Sequence, residues 1–417
     1  MTAPALSRSR RAELMVVTSW AMTASTFQLF AIVVLATALI DDFGLSRFQL
    51  GVLGALNTGV GAVLAPRLGG VADRIGSNRS MVLLLVSSGV GLLLTAVGIS
   101  YWVLLVASAL SGLPQGACNS VTNKVIAEDV PPPQQGAVTG VKQSGVQFAV
   151  FLSGATLPGL TVLLGWQGAL ALSGVITLVT AVALVLRMRI RAFGQPAGAT
   201  EPAAAAIPDA RHEVATGPAA AADDRGPIRY VRQVALYAML LGLTAGGVSR
   251  FYPLFATEAL GYSPAVAGLS VALAGATAIV ARVLWASWAG RLGHRQSLIV
   301  MGVGGSVAVG LLLVAEPARW LLFPIVVGLA FTTSAWNVVA MLAVITTMPS
   351  SRSGWATGVV QGGFLGGLTI SAPLVGWSID WLGSYRPAWI ALALLALAGA
   401  TVISRSRPAP SLRVAPA

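Results

Sequence analysis

The sequence predicts an all-α membrane protein, with twelve transmembrane helices in two pseudosymmetric six-helix bundles. Three observations carry that prediction. Apolar residues make up 56% of the 417 and charged ones only 10%, far from the composition of soluble globular domains. Apolar windows long enough to cross a bilayer recur along the whole chain. Finally, residues 136–145 return almost unchanged at 354–363: Gly136, Thr139, Gly140, Val141, Gln143 and Gly145 recur as Gly354, Thr357, Gly358, Val359, Gln361 and Gly363.

Taken in order, the windows place spans at 15–40, 48–66, 80–99, 102–123, 137–164 and 167–186. A second set follows at 233–257, 264–289, 297–315, 320–347, 354–379 and 385–403. The first span is too long for a cleavable signal peptide and no small-residue cleavage site follows it. Domain organisation follows directly. A tail (1–14) precedes the first bundle (15–190), a linker (191–232) joins it to the second (233–404), and a tail (405–417) ends the chain. The linker turns to Ala, Pro and Gly, including Ala203 through Ala206, and is expected to be a flexible cytoplasmic tether.

The two halves are related throughout. Asp41-x-x-Gly44-x-Ser46-x-x-x-x-Gly51 matches Glu258-x-x-Gly261-x-Ser263-x-x-x-x-Gly268, and Asn119 falls on Asn337. A duplicated membrane bundle is the sequence mark of a secondary transporter, whose halves rock about a central site.

The net charge of +12 is placed by topology. Arg8, Arg10 and Arg11 precede span 1; Arg67, Arg74 and Arg79 lie between spans 2 and 3; Arg187, Arg189 and Arg191 follow span 6. Arg291 and Arg295 follow span 8, and Arg405, Arg407 and Arg413 form the tail. The alternate loops hold scattered charges such as Asp41, Asp42, Arg47, Glu258, Asp380 and Arg386. That asymmetry predicts a bacterial inner-membrane protein with both termini cytoplasmic, and makes nucleic acid an unneeded partner. Catalysis has no foothold. The single cysteine, Cys118, and two distant histidines, His212 and His294, suggest neither disulfide nor metal site, and no cofactor motif is visible. We expect no enzymatic activity, no cofactor and a monomer.

After span 2 the chain reads Gly69-Gly-Val-Ala72-Asp73-Arg74-Ile-Gly76, with a degenerate copy at Ala286-Ser-Trp-Ala289-Gly290-Arg291-Leu-Gly293. The first copy resembles the signature loop of the major facilitator superfamily, and the twelve spans, two halves and long middle connection fit that family. The resemblance implies the major facilitator fold and a gate formed by Gly69, Asp73, Arg74 and Gly76, with Lys124 beside Asp73. In it the Asp73 carboxylate latches the cytoplasmic side by approaching the start of helix 11 near Gly354, where the helix dipole favours negative charge. Span 5 carries Gly145-x8-Gly154-x3-Pro158-Gly159, similar to the family's antiporter-associated pattern. Span 4 departs from the family, having Gly112 where a motif arginine is expected.

Four cations fall within or at the ends of spans that, by the family resemblance, line the central cavity: Lys124, Lys142, Arg250 and Arg282. A charge in the bilayer costs about 3 kcal/mol on insertion scales, so such residues face a cavity or a partner. The repeat places Val360, Val33 and Ala65 opposite Lys142, Arg250 and Arg282, so these charges serve one half only. No Asp or Glu sits mid-span. A cationic cavity without central anions attracts anions, and arginine grips carboxylates with paired hydrogen bonds. Candidate substrate-binding residues are therefore Arg250, Lys142 and Arg282, with the neutral set Asn119, Asn337, Gln143, Gln361, Gln28 and Asn123. Tyr252 and Trp336 lie beside them as pocket-shaping aromatics.

These residues predict a transporter for a small carboxylate-like anion working by alternating access, with proton or counter-anion coupling open. Oxalate–formate and cyanate-type carriers offer the nearest subfamily resemblance. Two alternatives stand: a proton-coupled efflux pump for hydrophobic compounds, suggested by the span-5 glycines, and a membrane nutrient sensor without transport.

Overall fold

The computed structural model describes residues 7–194, 225–345, 347 and 350–406. Among these the chain is helical, with no strand. The first span is α1 (Arg8–Val34) continued by α2 (Ala36–Phe43), and α3 (Arg47–Ile75), α4 (Ser77–Val97), α5 (Tyr101–Asp129) and α6 (Pro132–Gly194) follow. The second half holds α7 (Arg225–Glu258), α8 (Pro264–Leu292), α9 (His294–Leu311), α10 (Leu322–Thr333), α11 (Trp336–Ile345), α12 (Ser350–Leu382) and α13 (Arg386–Ser404). Helix therefore reaches into both ends of the expected linker, to Gly194 and back to Arg225; its middle lies outside the described residues.

Among the described residues, eleven helical stretches are long and apolar enough to cross a membrane. The longest, Gln134–Arg187, is two spans. Its helix leaves helical geometry at Gly165 (φ 70, ψ 168). Ser19 Oγ donates to the Val141 carbonyl on one limb, while neighbouring Trp20 Nε1 donates to Thr180 Oγ1 on the other. At the apex, Trp166 Nε1 donates to Asp42 at the far end of the first span. The limbs thus run antiparallel, and the expected twelve spans are all present.

Duplication is written into the backbone. The described glycines with positive φ form three pairs, each 217 or 218 residues apart: Gly44 with Gly261, Gly76 with Gly293, and Gly165 with Gly383. Helix starts repeat too: Ser46 caps α3 in a capping box with Gln49, and Ser263 caps α8 ahead of Pro264.

Lipid supplies no hydrophobic drive between helices, so small residues that let backbones meet decide the packing. A Cβ on Gly116 would lie 2.4 Å from the Gly61 carbonyl oxygen, which puts α3 and α5 in backbone contact. In the second bundle a Cβ on Gly367 would lie 2.2 Å from the Met239 oxygen, joining α12 to α7. Between bundles, Gly154 of α6 meets Gly268 and Ala272 of α8, and Gly51 of α3 meets Ala372 of α12. The repeat carries Gly51 onto Gly268 and Gly154 onto Ala372, so these two interfaces are copies of each other. Within the span-5 glycine pattern, Gly145 packs against Ser19 of α1, and Gly154 and Pro158 pack against Gly268, while Gly159 meets nothing within 4 Å. Gly112 is explained the same way: a Cβ there would lie 2.5 Å from the Asn57 oxygen, leaving no room for an arginine.

The start of α1 at Arg8 and the end of α13 at Ser404 lie at one end of the helix bundles, termed the terminal end; the other is the distal end. Arg10 of α1 pairs with Asp129 of α5 at 3.1 Å, Arg187 of α6 pairs with Glu13 at 2.9 Å, and Arg295 of α9 donates to the Ile403 and Ser404 carbonyls.

Candidate functional site: a cationic cavity between the bundles

The second half of the chain contains a break the periodicity does not predict. The span expected at 320–347 divides at Ser334 into α10 and α11. Thr332 and Thr333 turn their hydroxyls back onto the Gly328 and Leu329 carbonyls, both at 2.7 Å, a pattern that bends helices. The Phe331 carbonyl accepts from Trp285 Nε1 at 2.9 Å. This break turns Trp336 and Asn337 toward the space between the bundles.

That space is a cavity of about 790 Å³, walled by α1, α3, α5 and α6 on one side and α7, α8, α10, α11 and α12 on the other. It runs from Arg250 to Thr357, the latter about two turns into α12. Arg250 Nη2 donates to Thr58 Oγ1 across the interface at 3.1 Å. Gly54 makes this approach possible, because a Cβ there would fall 1.6 Å from Arg250 Nη1. Arg282 Nη1 donates to the Gln143 carbonyl, also across the interface, at 3.1 Å. No carboxylate pairs with either guanidinium among the described residues.

Asn119, Asn337, Gln143 and Gln361 all line this cavity, so both repeat-related pairs converge on it. Gln143 Nε2 donates to Asn119 Oδ1 at 3.0 Å. Arg282 Nε, Gln115 Oε1 and Asn337 Oδ1 are buried without a hydrogen-bond partner, although all three residues sit on the cavity wall. Trp336 and Phe364, ring centroids 4.4 Å apart, form an aromatic face, and Tyr252 also lines the wall.

Three expected site residues sit elsewhere. Gln28 is tied inside the first bundle, accepting from Asn57 Nδ2 at 2.9 Å and donating to Thr95 Oγ1 at 3.3 Å. Lys142 is fully buried behind the wall, its Nζ donating to Asn123 Oδ1 at 2.5 Å. Asn123 therefore serves Lys142 rather than lining the cavity. One residue along a helix rotates a side chain by about 100°. Gln143 consequently faces the cavity while Lys142 faces its own bundle.

The expected gate is bonded within its own half. Lys124 Nζ holds the Asp73 carbonyl at 3.0 Å and its carboxylate at 3.3 Å, with Glu128 at 3.7 Å. Gly76 supplies the turn at φ +85, Gly69 packs on Ser120, and Arg74 is exposed. The far partner of the expected Asp73 latch falls near Gly354 in the first turns of α12, where the side chains of residues 350–354 lie outside the described ones.

A carboxylate on a helix N-terminus does occur, at the distal end and between bundles. Asp380 of α12 accepts from the backbone N–H of Arg47 at 3.1 Å and of Phe48 at 2.8 Å, at the start of α3. Arg47 reaches back to Asp380 at 3.3 Å and to Glu258 of α7 at 2.8 Å. Tyr385 Oη donates to the same Glu258 oxygen at 2.5 Å. The hydroxyls of Thr37 and Thr257 meet at 3.3 Å. This distal clasp was missed as a group, because Arg47, Glu258 and Asp380 look like isolated loop charges. Their opposite signs on one membrane face were the available signal.

Two six-helix membrane bundles around a central cavity define a secondary transporter. A family model for the Major Facilitator Superfamily matches residues 18–338 and 234–417, and the chain belongs to that superfamily. Its fold is similar to crystal structures of a bacterial homolog of the human lysosomal transporter Spinster, in inward-facing occupied and unoccupied conformations. The occupied form gives a TM-score of 0.72 at 16% identity, over 96% of this chain and 98% of that one. The unoccupied form gives 0.71 at 17% identity, over 96% of each. The chain is also 29% identical to a hexuronate transporter of Bacillus subtilis (strain 168) over 143 residues, spanning about a third of that relative's length (34%) and 34% of its own.

Proposed function

We propose that this transporter carries a small hydroxylated organic anion, of the sugar-acid kind, by alternating access across a bacterial inner membrane. The observation that carries this reading is the pair of guanidiniums, Arg250 and Arg282, in a cavity wall without a carboxylate partner among the described residues. An oxyanion supplies the acceptor that the buried Arg282 Nε–H lacks. Hydroxyl groups supply the donors that Gln115 Oε1 and Asn337 Oδ1 lack, which a plain mono- or dicarboxylate does not. The cavity volume suits a ligand of sugar size. Partial identity to a hexuronate transporter supports the same class.

The arginine-bearing terminal end is the cytoplasmic one by the positive-inside rule. The distal clasp then closes the outer side, and the cavity faces inward. Arg250, Arg282, Asn119, Gln143, Asn337 and Gln361 form the binding set, while Asp73, Arg74 and Lys124 with Gly69 and Gly76 form the inner gate.

A second reading, export of hydrophobic compounds, is favoured by the apolar part of the wall, including Met22, Leu29, Phe30 and Phe364. Purified protein in proteoliposomes separates the two. Uptake of labelled glucuronate, competed by other hydroxy acids and indifferent to lipophilic cations, is the expected result. Transport of cationic dye with no response to any anion would overturn the anion reading.

A further inference from the structure

Lys142 lies beside the cavity without opening onto it. Its side chain is 0% exposed, among the largest fully buried groups in the molecule. An ammonium carries three N–H donors, yet one bond is made, to Asn123 Oδ1. No carboxylate faces it among the described residues. From α5 the charged or titratable groups nearby are the Cys118 thiol and, one residue past Asn123, Lys124, which is already held by Asp73. From α8 it is Arg282, bonded to the neighbouring Gln143 carbonyl. From α1 the packed residues are Ser19 and Met22, neither of them titratable.

A buried ammonium without a counter-ion is costly, and lysine readily gives up its proton in such a place. The neutral amine keeps the bond to Asn123, so both protonation states fit the site. Asn123 is solvent-exposed, which leaves Nζ one hydrogen bond from water. The adjoining Gln143 lines the cavity, and its carbonyl takes the Arg282 contact between bundles. A negative charge arriving in the cavity favours the protonated amine, and the protonated amine favours the anion. That is reciprocal linkage between two ligands.

We propose that Lys142 is the proton-binding site that couples anion movement to the proton gradient, making the protein a proton–anion symporter. The inference rests on the anion reading above. In each cycle Nζ gains one proton from water on the side where the anion binds and releases it where the anion leaves, with no change of redox state.

The chain has only two lysines, Lys124 and Lys142, so Lys124→Arg protein labelled at lysine Nζ shows Lys142 alone by NMR. The expected result is a charge change between about pH 5 and 8, the range to which burial brings lysines. An ammonium that persists through that range overturns the proposal. In proteoliposomes with labelled glucuronate, Lys142→Gln should retain exchange across the membrane at equal pH but lose accumulation driven by a proton gradient, by about tenfold or more. Unchanged accumulation by Lys142→Gln also overturns it. If neither protein moves any anion, the anion reading fails, while the lysine titration still decides whether Lys142 binds a proton here.

Discussion

At the scale of single residues, Arg250 depends on a neighbour that has no side chain. Its guanidinium occupies the volume a Cβ on Gly54 would fill, and it reaches Thr58 from there. On the proposed anion reading, Arg250→Gln removes a charge-assisted hydrogen bond to the substrate, so binding should weaken by about 1.5–3 kcal/mol, roughly tenfold to a hundredfold. Isothermal titration with the transported anion checks this. Gly54→Ala should weaken binding in the same direction while leaving Arg250 in the chain, because the guanidinium loses its seat. Unchanged affinity in both well-inserted variants removes Arg250 from the site. The sequence makes Arg250 and Arg282 visible, since each is a charge in one half only. It does not distinguish Lys142 from Gln143, because a span that is apolar nearly all round carries no signal for which face meets the cavity. Gln28 was equally illegible: its partners, Asn57 and Thr95, come from two other helices.

At the scale of elements, the α6–α8 contact is a backbone contact. A Cβ on Gly154 would stand 2.4 Å from the Gly268 oxygen and the Ala272 nitrogen, neither of which can yield as a flexible side chain would. Gly154→Val should push α6 from α8 and cost about 1–3 kcal/mol of packing, with a lower melting temperature and sharply reduced initial uptake. Gly159→Val on the same helix is the control, since nothing lies within 4 Å of its Cβ position, and it should be near wild type. Equal behaviour of the two variants would show that the small-residue contact is incidental. Helix positions and this glycine pattern were legible because length and composition alone set them. The break at Ser334 was not, because no proline or glycine marks it; the Thr332–Thr333–Ser334 run of hydroxyls was the only trace.

At the scale of the whole molecule, the two bundles are held by equivalent glycine contacts and by an unequal set of charges. Both glycine interfaces lie near the distal starts of α3 and α8, so they hold the same end of the bundles together as the clasp does. The distal clasp has no copy in the second half: the repeat places Pro264 opposite Arg47, and Val162 opposite Asp380. Arg47 therefore biases the equilibrium toward the state in which the distal end is shut. Its side chain is one-third exposed (33%), which reduces what its bonds to Glu258 and Asp380 contribute to about 1–2 kcal/mol. Removing that difference should change the ratio of the two conformations about tenfold. Arg47→Gln, compared with Arg386→Gln at an exposed distal position, should lengthen distances across the distal end in spin-label measurements and leave binding-site affinity in the distally closed form intact. An Arg47→Gln distance distribution matching that of Arg386→Gln would mean the glycine interfaces alone set the conformational balance, and that the clasp contributes nothing to it.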